Sequence, residues 1–455
     1  MRTFICNLLG ILLLAGCATR PHADFVITHQ PIAHPIAGFG ICMNPYLYAY
    51  PNTPDELAPA RLADLEAKVK ELHPQFVRIF FLNSWWENDT DASIAKGHTG
   101  MRQSLIRTIR LAQDSGASVL LQFWYDPGHY QDPDDVARRF ATAIAELRDK
   151  HGLTAIRYAT IQNEPNEHED DITQERYIAV YRAFDRALRE RGIREQIQII
   201  GGDLVHEHDK HWFSMLARDL SPMLDGYSIH VYWDYWNIEP METHIRGVRD
   251  LVAQMPAKQR RPIYITEFGA QGFRENPRIE PGKSDDGKPV ADVPVYSFEI
   301  AIFLLEAINA GVVGTAQWDG YDVWYDRKMG YGLIGSVQNG FPLKPGYRLL
   351  HLFTHATEPG WRAMRIKGGI EDIWVAALRG TSADQITLFA LNRTRGREKT
   401  ITVAGLPPNR PLRVTFFNAD ETGELLPTRS VTPDPTGRVT LTIPHYALVA
   451  LTTRP

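Results

Sequence analysis

The chain has 455 residues, 44% hydrophobic and 23% charged, with a formal net charge of -5. That length suggests two or three domains, and the composition is that of a soluble globular protein rather than a fibrous or disordered one. The mildly acidic balance, with no dense basic stretch interleaved with aromatics, excludes nucleic acid as an expected partner.

Met1-Arg2 supplies a short positive region, and residues 4–14 are largely apolar but too short to span a bilayer as a mature helix. The run ends in Leu14-Ala15-Gly16-Cys17, which resembles the bacterial lipobox. That resemblance implies a lipoprotein signal over residues 1–17, with cleavage before Cys17 and lipid on its thiol. Ala18 follows, with no aspartate to suggest inner-membrane retention. The expected location is therefore the bacterial cell envelope, anchored by lipid in the outer membrane and facing the periplasm or the surface. Residues 18–36 read as a tether with a short extended piece, and no later segment is apolar enough to cross a bilayer. Cys6 leaves with the signal, so Cys42 alone remains in the fold; lying in an apolar run, it reads as a buried inert thiol. No Cys/His spacing reads as zinc, and no metal or organic cofactor is expected.

From residue 37 to 354 strand-like runs alternate with amphipathic helical ones. The strands are expected at 38–43, 76–81, 118–123, 158–162, 197–201, 226–231, 263–266 and 312–317. Helices are expected at 54–72, 101–113, 132–150, 173–190, 211–220, 242–255 and 296–310. Eight alternating strands describe an α/β fold, a (β/α)8 TIM barrel; a doubly wound sheet is the rival, disfavoured because no Gly-x-Gly-x-x-Gly loop follows the first strand. Over 355–455 the helical signal fades into short alternating runs at 372–378, 385–391, 399–403, 412–418, 438–443 and 447–452, separated by Gly, Pro, Asn and Asp. That predicts a C-terminal all-β sandwich domain. A polar loop at 274–294 should overhang the barrel mouth.

Two glutamates stand out. Glu164 in Gln162-Asn163-Glu164-Pro165-Asn166 and Glu267 in Ile265-Thr266-Glu267-Phe268-Gly269 each close a short β-branched or aromatic run before a turn former. At the C-terminal ends of two barrel strands they would face one pocket. Two carboxyl groups in one pocket are the minimal machinery for cleaving a glycosidic bond.

An Asn-Glu-Pro sequence at the end of strand four, with a second glutamate at the end of strand seven, resembles the clan A retaining glycoside hydrolases. The likeness is to the cellulase-like family 5 and, through Asn163-Glu164-Pro165-Asn166, to family 39. The resemblance implies that Glu164 is the acid/base, Glu267 the nucleophile, and Asn163 a ligand of the sugar 2-hydroxyl. It further implies that Arg78, in the second strand, contacts the nucleophile. Tyr232 would hydrogen-bond the nucleophile with His230 nearby, and Trp318 would floor the cleaved sugar. The family 5 histidine at the end of strand three is missing; Gln122-Phe123-Trp124-Tyr125 stands there. Trp124 and Trp233 are candidate stacking platforms, as are Trp85, Trp86, Trp236 and Trp324, with core packing the competing reading for each.

The resemblance implies an O-glycosidase acting on β-linked oligo- or polysaccharides by double displacement, with carbohydrate and the membrane as its partners. Two alternatives use the same barrel: a non-catalytic glycan-binding surface lipoprotein, and a transglycosylase employing the same glutamate pair.

Overall fold

The computed structural model describes residues 23–454 except 33, 50–51, 53–56, 88–93, 95–98, 125–131, 168–171, 206–209, 235–236, 272–286, 323–329, 337–338 and 419–421. The lipobox, Trp236, Trp324 and most of the 274–294 loop therefore lie outside the described residues. Eight parallel strands close into a barrel, as expected: β2 (Gly38–Met43), β3 (Phe76–Phe81), β4 (Ser118–Phe123), β5 (Ile156–Ile161), β6 (Gln198–Leu204), β7 (Gly226–Asp234), β8 (Ile263–Gln271) and β9 (Val312–Gln317), with β9 pairing back to β2. Around them run α1 (Pro59–Leu72), α2 (Asn83–Glu87), α3 (Met101–Asp114), α4 (Pro133–Asp149), α5 (Gln174–Glu190), α6 (Lys210–Met215), α7 (Glu239–Gln254), α8 (Pro294–Ala310) and α9 (Pro345–Ala356). Local chemistry sets several boundaries. Asp132 caps α4 through the Asp134 amide, with Pro133 in the first turn, and left-handed Gly311 ends α8.

Inward side chains fill the barrel in layers. At the bottom, Phe76, Tyr158 and Tyr264 meet with ring centroids 5.4–5.8 Å apart, and Leu120, Ile200 and Cys42 complete the plug. The plug closes the N-terminal end of the barrel, so its interior opens toward the C-terminal ends of the strands. Cys42 is buried as expected, and burial pushes its thiol up, away from the reactive thiolate.

The C-terminal domain is a continuous hydrogen-bonded sheet of ten strands that folds over its own core. Its members are β1 (Phe25–Pro31), β10 (Arg362–Gly368), β11 (Ile373–Arg379), β12 (Ile386–Asn392), β13 (Lys399–Ala404), β14 (Leu412–Asn418), β15 (Glu424–Leu425), β16 (Arg429–Val431), β17 (Arg438–Ile443) and β18 (Ala447–Thr452). All six expected strands are present. The extended piece expected within the 18–36 tether is β1, and it is an integral strand of this sheet, antiparallel to β10 and parallel to β13. Its pattern, Phe25 and Ile27 buried and Val26 exposed, is that of a strand with one face on a core. The sheet packs on α8 and α9, where Phe353 stacks on Phe389 at 4.2 Å and Phe298 on Tyr446 at 4.9 Å. Covered by barrel and sheet alike, α8 is buried along almost its whole length, which explains its nearly unbroken apolar sequence.

Candidate active site

Alternation decides which side chains enter the barrel. Along β7, Ser228, His230 and Tyr232 point in, while Tyr227, Ile229, Val231 and Trp233 pack outward among the hydrophobic helices. On β8 the same parity would send Glu267 outward, since Ile263 and Ile265 face the helices and Tyr264 the interior. A bulge corrects this. Ile229 pairs with Ile265 but His230 pairs with Glu267, leaving Thr266 as an extra residue. Thr266 and Glu267 thus both face inward, and Phe268 resumes the outward side, stacked on Phe303 at 4.1 Å. Glu267 was expected to end its strand; β8 instead continues to Gln271, alongside β7.

A second bulge acts on β6. Gly201 pairs with Tyr227 and Leu204 with Ile229, so Gly202-Asp203 holds one residue too many. Gly202 has φ of 128°, and a Cβ there would lie 2.2 Å from the Ser228 carbonyl oxygen. Only glycine fits that backbone. The bulge aims Asp203 inward at φ 52°, fully buried. Asp203 escaped the sequence reading; the doubled glycine before an acid at a strand end was the signal for it.

β5 and β6 pair at Tyr158–Gln198 and Ala159–Ile199, then part. Two hydroxyls from α5 fill the split. Tyr181 Oη accepts from the Ile161 amide at 3.0 Å and donates to the Ile200 carbonyl at 2.8 Å. Tyr177 Oη accepts from the Gly202 amide at 2.9 Å. Beyond the split, Gln162 and Glu164 adopt left-handed backbone, with φ of 64° and 45°. Such backbone in non-glycine residues is costly and concentrates at functional sites.

The inward residues form one network. Arg78 Nη1 donates to Glu267 Oε2 at 2.6 Å, and its Nη2 reaches Asn163 Oδ1 at 2.6 Å and Asp203 Oδ2 at 3.2 Å. Tyr232 Oη donates to Glu267 Oε1 at 2.5 Å. His230 Nδ1 lies 2.9 Å from Glu164 Oε1, and its Nε2 lies 3.8 Å from Asp203 Oδ1, a charge contact too long for a hydrogen bond. Asp203 Oδ1 accepts from Ser228 at 2.7 Å and Thr266 at 2.6 Å.

The electrostatics follow from burial and partners. Burial opposes charge on His230, but Glu267, Asp203 and Glu164 outweigh it and push the imidazole up to about 9. Burial alone would raise the Asp203 carboxyl; Arg78 foremost, with His230 and Thr266, holds it well below the usual carboxylate range. The Tyr232 phenol is driven up by burial and by the neighbouring Glu267 charge, which keeps it a proton donor.

One oxygen from each of Glu164 and Glu267 and a His230 ring nitrogen lie within 4.8 Å of one another. Among the described residues this is the one His/Cys/Asp/Glu group with metal-ligand spacing. Arg78 already meets Glu267 there, so a second cation would face a fixed guanidinium. The Glu267 side chain is 9% exposed and that of Glu164 17%, so the first is the more enclosed carboxylate.

The site thus brings together Glu164, Glu267, Asn163, Arg78, His230 and Tyr232. Phe80, two residues beyond Arg78, lines the same wall, with Trp124 at 5.4 Å and Trp318 at 5.7 Å between ring centroids. Trp233 is a correction: expected as a sugar platform, it is buried on the outer side of β7, stacked on Phe303 of α8 at 5.2 Å. It is odd in the alternation where His230 and Tyr232 are even. Trp86 is likewise buried beside His151, and Trp85 packs edge-on to Tyr46.

By sequence, neither a protein-family model nor a curated protein matches the chain. Solved structures match it in fold along nearly its whole length. A GH51 α-L-arabinofuranosidase from Thermotoga petrophila RKU-1 is 13% identical, covers 95% of this chain and 100% of its own, and has a TM-score of 0.69. A GH30 endoxylanase from Clostridium papyrosolvens C71 gives 12%, 95%, 100% and 0.66, and a family 30 subfamily 8 xylanase from Clostridium acetobutylicum 11%, 95%, 100% and 0.63. The fold is that of clan A glycoside hydrolases. It matches the fold implied by the sequence resemblance, although these neighbours come from families 30 and 51 rather than 5 and 39.

Proposed function

We propose that the chain is a retaining O-glycoside hydrolase working by double displacement. The observation that carries this reading is the approach of Glu164 and Glu267, with oxygens within 4.8 Å. Retaining enzymes hold their carboxyl groups about 5–5.5 Å apart, while inverting ones leave about 6.5–9.5 Å for a water. In the first step Glu164 gives its proton to the glycosidic oxygen as the Glu267 carboxylate attacks the anomeric carbon. The C–O bond breaks and a glycosyl ester forms on Glu267. In the second step Glu164 takes a proton from water, the water oxygen attacks the same carbon, and the ester bond breaks to release Glu267.

The surroundings support this division. Arg78 and Tyr232 each donate to one oxygen of Glu267, which fixes the orientation of the attacking carboxylate. With Asn163 Oδ1 accepting from Arg78, its amide nitrogen remains the group able to donate to a sugar 2-hydroxyl. Trp124, Phe80 and Trp318 offer apolar faces for the C–H side of a sugar ring. The substrate class is a β-linked oligo- or polysaccharide, and xylan is the first to try, after the xylanase neighbours. Glu267→Ala should abolish turnover, and added azide should restore it with a glycosyl azide of inverted configuration. Wild-type-like turnover in Glu267→Ala would sink the proposal. Anchoring to the outer membrane through Cys17 belongs to the same reading. It requires that Cys17→Ser lose both radiolabelled palmitate and membrane fractionation.

A further inference from the structure

We infer that Asp203 is a positioning residue for both carboxylates, holding Arg78 against Glu267 and His230 opposite Glu164 through one buried side chain. The inference rests on the glycosidase reading above.

Three observations point there. First, Asp203 stands between two pairs. One oxygen meets Arg78 at 3.2 Å and the other lies 3.8 Å from His230 Nε2, while Arg78 and His230 reach Glu267 and Glu164 at 2.6 and 2.9 Å. Second, the chain goes to unusual lengths to put it there. The bulge at Gly202, the left-handed backbone of Asp203 and the Tyr177 hydroxyl on the Gly202 amide all serve to turn this one carboxylate inward. Third, its remaining valences are filled from two neighbouring strands by Ser228 and Thr266, and its own amide donates to Ser228 Oγ at 2.8 Å. A carboxylate so fully bonded and buried cannot reach substrate, so its action must pass through Arg78 and His230.

The physical consequence concerns charge sharing. Arg78 alone with Glu267 would neutralise the nucleophile strongly; a second carboxylate on the same guanidinium divides that attraction. On the other side, Asp203 favours the imidazolium of His230 and so sets the field felt by Glu164. The charged groups facing His230 are Glu267, Asp203, Glu164 and Arg78, and those facing Asp203 are Arg78 and His230, with the Tyr177 and Tyr181 hydroxyls nearby.

The test uses the full chain with Asp203→Asn, which keeps shape and most hydrogen bonding but removes the charge. Two readouts are taken: the pH profile of kcat/KM on an aryl glycoside, and the His230 ring titration by 1H–13C NMR, assigned with His230→Gln. We expect kcat to fall about tenfold or more with KM within roughly threefold. The pH profile should shift, and His230 should titrate at least about one pH unit lower once the Asp203 charge opposite its ring is gone. Should Asp203→Asn fail to fold, Ser228→Ala and Thr266→Val, each removing one donor to Oδ1 while keeping its charge, should shift the profile less and raise the His230 titration. An unmoved His230 titration with superimposable pH limbs, in whichever variant folds, overturns the inference. A complete lack of glycosidase activity in the wild type would overturn the functional reading instead, and the titration would still report on Asp203.

Discussion

Arg78 and Glu267 form an ion pair at 2.6 Å in the barrel interior, with side chains 1% and 9% exposed. They come from strands three apart around the barrel, β3 and β8, and the Thr266 bulge turns Glu267 inward to meet Arg78. Removing one partner of a buried pair leaves the other uncompensated. Arg78→Ala should therefore cost about 3–5 kcal/mol in urea unfolding and abolish turnover. Retained stability in Arg78→Ala would mean that the pair contributes far less than its burial implies.

Glu164 should separate from Glu267 by leaving group. Glu164→Ala is expected to lose activity on unactivated glycosides by several orders of magnitude, about 10²–10⁴-fold, while retaining much of it on dinitrophenyl glycosides that leave without a proton. Equal losses on both substrates would remove Glu164 from the acid role.

The Tyr181 hydroxyl replaces a missing rung between β5 and β6. Tyr181→Phe leaves the Ile161 amide and the Ile200 carbonyl without it, at a cost of ~1–3 kcal/mol in chemical denaturation. Unchanged stability would show that the strands can close the split by themselves.

Trp233 should act as core and not as a subsite. Trp233→Ala should lose about 3–5 kcal/mol of stability and leave KM near the wild-type value. Trp124→Ala and Trp318→Ala should do the reverse, raising KM with little effect on unfolding. A raised KM in Trp233→Ala at unchanged stability would return it to the pocket.

Glu299 gives a pH dependence of stability. Burial in α8 pushes its carboxyl up to about 7 from an ordinary 4.5, against the attraction of Arg393. The folded state thus binds a proton that the unfolded state releases first. Its contribution is fully present below pH 4.5 and is lost as pH rises through about 7. Glu299→Gln should be more stable than the wild type above pH 7, with the difference vanishing toward pH 4.5. A pH-independent difference would show that the carboxyl does not titrate in that range.

The barrel was legible because parallel strands buried on both faces read as unbroken apolar runs, such as Phe76-Val77-Arg78-Ile79-Phe80-Phe81. Arg78 stood out by interrupting one of them. Glu164 and Glu267 were legible from their strand-end settings. The misses at Asp203 and on β8 share one cause, the inserted residue of a β-bulge. Simple alternation cannot foresee that Gly202 turns Asp203 inward, or that Thr266 and Glu267 share a side. Trp233 failed differently: β7 alternates regularly, and counting from His230 places it outside. β1 was only a short extended piece in sequence, since its partners β10 and β13 lie more than 300 residues along the chain.

That placement of β1 has a temporal meaning. On the ribosome, Phe25–Pro31 emerges long before Arg362–Gly368 and Lys399–Ala404, the strands it pairs with. At translation rates of about 5–20 residues per second it waits on the order of tens of seconds as an unpaired segment. All eight barrel strands lie between, so the barrel has the opportunity to close first, and the C-terminal sheet is then completed by recruiting a strand made long before its partners.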